Sequence, residues 1–261
     1  MKSSLIKSWI FSGLALGLLL YFFVIPAVFT HNIPLFAQEY KSNYITPIAT
    51  KVWNFYDRGR YIPEGTPKKI AYNLRELLNN NAEVSSVTVP VWYVSLEAPQ
   101  YPKKVFPNGV PVFYHFDGFS GDVNEMNTIN HYIGMDPMDR GAPYLRMVAP
   151  YALVFTALLI VLFMLYKSKI FSLFMLVPIS LPFLFLGFYT YWLYWFGHNM
   201  HQWGAFHIKP FTPTILGDGK VAQFVTHSFP TSGFWILVAI TILSLLAVVS
   251  KIKALKIESQ S

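Results

Sequence analysis

Four stretches of this chain, residues 10–29, 148–166, 170–197 and 232–250, contain no Asp, Glu, Lys or Arg. A charge-free run of about 20 residues matches about 30 Å of hydrocarbon when wound as a helix. Lipid cannot hydrogen-bond a backbone, so such runs cross it only as helices or closed barrels. The expected fold class is therefore a membrane α-helical protein with four transmembrane helices. The third run is longer than a span needs and carries Pro178 and Pro182, so a kink or tilt is expected there. The first run could instead be a secretory signal. It exceeds a typical signal core and no small-x-small cleavage site follows it, which favours a retained anchor.

Lysine placement sets the expected orientation. Lys2 and Lys7, Lys167 and Lys169, and Lys251, Lys253 and Lys256 lie in three short segments opposed only by Glu258. The other 13 basic and 12 acidic residues nearly cancel, so the net charge of +7 is a topology signal rather than a nucleic-acid footprint. Residues 1–9, 167–169 and 251–261 are expected in the cytoplasm of a cell whose inner membrane the chain crosses, with both termini inside. Trp9 on one side, and Trp192, Trp195 and Trp235 on the other, suit the two membrane interfaces. Charged residues are only 13% of the chain, about half the share of a soluble domain.

Two segments are then extracytoplasmic. Residues 30–147 read as a small α+β domain between helices 1 and 2. Thr66-Pro67 opens a helix reaching Leu78. Ser86 to Leu96 reads as a strand, confined by Pro90 to a sheet edge or a bulge. Ser120-Gly-Asp-Val starts a second helix that ends before Pro137. Residues 198–231 read as a His-rich loop.

With no cysteine, disulfides, thiolate metal sites and covalent c-type haem are excluded. Histidine remains. His31 follows the first span, His198 and His201 end the third, and His227 precedes the fourth. Such a cluster could hold a metal or b-type haem, or bind a quinol head group; the same residues also suit an ordinary interface with lipid head groups. His198 and His201 lie three apart, a spacing able to chelate on one helix face. His131, Met135 and Met138 fall at i, i+4 and i+7, a soft ligand set suited to Cu(I) if the helix runs through them. Gly134 can break that helix as a left-handed cap, and methionine is also ordinary core filler. No phosphate-binding loop and no GxSxG elbow is present. The spans carry no ionisable residue other than interfacial histidine, which argues against an ion-coupled carrier.

The stretches Phe116-Asp-Gly-Phe-Ser and Asn130-His-Tyr-Ile-Gly-Met135, with Lys209-Pro-Phe-Thr-Pro-Thr and Gln223-Phe-Val-Thr-His-Ser, sit on a four-span chain with a large loop after its first span. In these features the chain resembles the NosB family, small polytopic proteins encoded beside nitrous oxide reductase in bacteria. The resemblance implies a non-enzymatic, periplasm-facing accessory of nitrous oxide respiration, serving electron supply to the copper reductase or its maturation. It carries over no catalytic residue. Expected partners are membrane lipid, the reductase or other respiratory subunits, and quinol. A copper-handling protein and a structural anchoring subunit are the alternatives.

Overall fold

The computed structural model describes residues 2–29, 89–99, 101, 103, 106–116, 118–138, 142–202, 204–205 and 208–259. His31 and the helix expected at 66–78 lie outside these residues.

Among the described residues, four helices are long and apolar enough to cross a membrane. They are α1 (Lys2–Phe29), α3 (Ala142–Leu165), α4 (Leu176–His198) and α5 (Ser232–Glu258); a 3-10 helix, Lys169–Met175, leads into α4. The short helix α2 (Val123–Tyr132) lies between α1 and α3. Pro178 falls in the first turn of α4, where its missing N–H has no helical partner to lose. Pro182 lies deeper and removes the donor for the Pro178 carbonyl. One turn away, Thr241 Oγ1 of α5 donates to the Ile179 carbonyl at 3.1 Å.

The helices α1 and α5 run antiparallel. Ser8 Oγ donates to the Ala247 carbonyl at 3.0 Å, and Ser12, Ala15, Ser244 and Ala247 are fully buried. Small side chains let two backbones approach closely where no hydrophobic drive separates protein from lipid. Ile160, Phe163 and Met175 complete this core.

Lys251 belongs to the bundle rather than to a tail. Helix α5 continues through residues 251–258, which the charge pattern assigns to the cytoplasm. The Lys251 ammonium is buried, donates to the Phe163 carbonyl and lies 4.0 Å from the Phe163 ring centroid. Phe163 is in the last turn of α3, where carbonyls lack helical donors, so the lysine caps that end.

At the opposite end of the bundle lies one five-stranded antiparallel sheet, ordered β3-β2-β1-β5-β4. Its strands are β1 (Trp92–Glu97), β2 (Val110–His115), β3 (Gly118–Gly121), β4 (Gly217–Val221) and β5 (Phe224–Pro230). Two sequence expectations change here. The 198–231 segment, read as a loop, supplies β4 and β5. The strand assigned to an edge or bulge is the central one: β1 starts after Pro90, so the proline costs no ladder bond. The Pro90 carbonyl instead accepts from Thr231 Oγ1 and from the Gly233 N–H at 3.0 Å, fastening β1 to the start of α5.

One face of the sheet is cemented to the helices. Trp92 is 2% exposed, and its ring centroid lies 5.3 Å from Tyr189, 5.3 Å from Phe234 and 5.9 Å from Phe185. Aromatic pairs at such distances add about 0.5–1.5 kcal/mol beyond the burial itself. The polar ends are satisfied around Ser228. Its hydroxyl donates to the Ile215 carbonyl at 2.8 Å and accepts from Trp92 Nε1 at 2.8 Å. A hydroxyl has one proton, so Tyr189, 2.9 Å away, is the donor in the third bond.

Candidate functional site

A cavity of about 400 Å³ lies between α3 and α4, beneath the β2–β3 hairpin. Its α3 wall is Leu145, Val148, Ala149, Ala152, Leu153 and Thr156; its α4 wall is Leu181, Leu184, Phe185, Phe188, Tyr189 and Trp192. Both sets repeat at i, i+3, i+4, i+7, i+8 and i+11, one face of a helix each. Such matched faces ordinarily interlock; here they line a cleft together with Tyr114, His115, Phe116 and Phe119 of the hairpin. Leu19 of α1 and Leu237 of α5 close the far side.

The wall has an aromatic half and an aliphatic half. Aromatic side chains of the hairpin and of α4 (Phe185, Phe188, Tyr189 and Trp192) make one part of the wall, and aliphatic ones of α3 with Leu19, Leu181 and Leu237 make the other. The six α3 residues that line it run from Leu145 to Thr156, a length of about 16 Å along the helix at 1.5 Å per residue. No Asp, Glu, Lys or Arg lines it among the described residues. Its polar groups are few. His115 Nε2 is 2.7 Å from Ser120 Oγ, and Thr156 Oγ1 donates to the Ala152 carbonyl at 2.8 Å. Trp192 Nε1 is a buried donor with no acceptor among the described residues. Burial, and next the neighbouring Tyr189, pushes the Tyr114 hydroxyl well above its ordinary pKa, so it stays protonated. Val148, Leu184 and Phe188 are 54%, 59% and 46% exposed and form the rim of the open side.

Of the described histidines chosen from sequence, His198 and His227 have separate partners, while His201 comes near enough to His131 to act on its charge. His198 Nδ1 bonds back to the Tyr194 carbonyl at 2.9 Å, and its ring stacks on Tyr194 at 3.9 Å. His201 Nε2 lies 3.2 Å from Asp136 Oδ1. His227 is bracketed by Asp218 Oδ1 at 2.6 Å from Nδ1 and Glu97 Oε1 at 3.4 Å from Nε2. Two carboxylates on the two ring nitrogens require the doubly protonated imidazolium; chiefly the Asp218 hydrogen bond, with Glu97 assisting against burial, raises its pKa. Among the described residues no three His, Asp or Glu side chains are grouped to hold a metal.

The His131, Met135, Met138 stripe is broken in the way the glycine allows. Helix α2 ends at Tyr132, and Gly134 has φ +84°. Its N–H bonds to the His131 carbonyl at 3.0 Å and the Met135 N–H to the Asn130 carbonyl at 2.7 Å, the paired bonds of a Schellman cap. Met135 and Met138 thus leave the helix and pack into the main hydrophobic core. The cap receives the segment after α4: the His201 N–H donates to the Gly134 carbonyl at 2.7 Å and the Ala205 N–H to the Tyr132 carbonyl at 2.8 Å. Burial, reinforced by His201, pushes His131 down to about 4, so it is neutral at physiological pH.

The cavity residues were not singled out from sequence. The matched stripes on α3 and α4 are a signal in principle, but both helices are apolar all round and the stripe does not stand out. Comparison with family models, with curated proteins and with solved structures finds no match to this chain.

Proposed function

We propose that this chain is a multi-pass inner-membrane accessory protein of a periplasmic respiratory enzyme, that of nitrous oxide reduction, and that it serves electron supply or maturation. One observation supports the reading above others: the bundle has two chemically different ends. Lys167 and Lys169 follow α3, and Lys251, Lys253 and Lys256 end α5, the helix end beside the start of α1. The other end carries a sheet assembled from both long connections and fixed to α4 and α5 by the Trp92 cluster. Under the positive-inside rule the sheet faces the periplasm, as a platform for a partner there. Copper handling has weaker support, since packing accounts for Met135 and Met138.

The test is deletion of the gene in its host, with nitrous oxide reduction assayed from quinol and from an artificial donor that bypasses the membrane. Loss with quinol alone indicates electron supply, and loss with both indicates maturation. Unchanged rates with both donors refute the proposal. Orientation is checked separately in this cysteine-free chain: Lys220→Cys should label from the periplasm in intact cells, and Ser168→Cys should not.

A further inference from the structure

We infer that the α3–α4 cleft binds a neutral, ring-headed, lipid-soluble molecule of the quinone class, its head beneath the β2–β3 hairpin. The inference deepens the electron-supply form of the accessory reading and rests on it for meaning, though not for its test. Three features of the cleft carry it.

First, the size fits. A cavity of about 400 Å³ falls within the range of about 300–1,000 Å³ typical of small-molecule sites, and it is too elongated for a compact solute. Second, the wall chemistry selects. No charged side chain stands among its described lining residues, which suits a neutral ligand better than a phosphate. The aromatic half, Phe116, Phe119, Phe188 and Trp192, presents flat faces for a conjugated ring. The aliphatic half suits an isoprenoid chain. A saturated acyl chain would not use the aromatic half. Third, the entrance is lateral. Val148, Leu184 and Phe188 are exposed apolar residues on two membrane-crossing helices, so the opening meets hydrocarbon rather than water. A ligand that partitions into the bilayer can enter there and leave its tail outside.

The experiment uses the full-length protein in phospholipid nanodiscs, an azido-naphthoquinone photolabel and peptide mapping. Saturable labelling is expected on peptides covering 110–121, 145–156 and 181–192, competed by excess unlabelled naphthoquinone. Ala152→Trp fills the cleft from α3 and should cut competed labelling at least tenfold. Val148→Trp, at the rim, should do likewise and stands in if the first variant does not fold, as judged by circular dichroism and elution volume. Labelling that rises linearly with concentration, spreads over all four helices or survives both filling variants overturns the inference. So does a stoichiometric phospholipid released by the filling variants without any competed quinone label. A protein that supports the reductase yet fails these tests leaves the accessory reading standing.

Discussion

Replacing Gly134 by alanine isolates the joint between α2 and the segment that follows α4. At φ +84° an L-residue is strained by about 1–2 kcal/mol. The added Cβ would also meet the His201 carbonyl oxygen, which is backbone and cannot rotate away. The segment must therefore lift, loosening the His201 to Gly134 and Ala205 to Tyr132 hydrogen bonds, each worth about 1 kcal/mol net. The expected loss is about 3–4 kcal/mol. Gly187→Ala is the control. It lies inside α4, a Cβ there meets nothing within 4 Å, and the change should stabilise by about 0.5–1 kcal/mol. Reversible denaturation in detergent, followed by tryptophan fluorescence, compares the two. If Gly134→Ala unfolds within 1 kcal/mol of wild type, about the uncertainty of one hydrogen bond, the cap is not the joint described here.

His131 should make stability pH-dependent on the acid side. Its folded pKa, about 4, lies below the ordinary 6.5, so the unfolded chain takes up the proton first and stability falls as pH drops from 6.5 toward 4. At 1.36 kcal/mol per pH unit the loss reaches about 3 kcal/mol, and His131→Gln should flatten it. His227 acts with the opposite sign. Its raised pKa contributes stability below the unfolded value, lost as pH rises through the folded one, and Asp218→Asn should shrink that loss. Nuclear magnetic resonance titration of the two imidazoles checks both directions. Trp92→Phe keeps the ring contacts but strands a Ser228 lone pair and part of the packing, and should cost about 1–3 kcal/mol in the same denaturation assay. Lys251→Met keeps the buried stem and loses the Phe163 cap; a cost of about 1–2 kcal/mol is expected, and no change would mean that the capping bond contributes nothing.

The four long apolar helices could be read from the sequence because hydrophobic length is a local property: a run without charge must find lipid or a core wherever the rest of the chain goes. Lysine placement is equally local, and Lys167, Lys169, Lys251, Lys253 and Lys256 lie at one end of the bundle. The end of α2 was half legible, since Gly134 offered a left-handed cap but only the fold chose it over a continuing helix. Three features could not be read at all. The β4–β5 hairpin turns at Ala222 with φ +53°, without the Asn-Gly or Asp-Gly pair that announces such a turn. The central place of β1 depends on pairing Ser95 with His227, far apart in sequence, and no local pattern encodes a partner so distant. The cleft lies between two apolar faces that could have met along their whole length, with residues of the β2–β3 hairpin in its wall. Whether two helices touch is settled by what packs between them, and that is a property of the assembled bundle rather than of either helix.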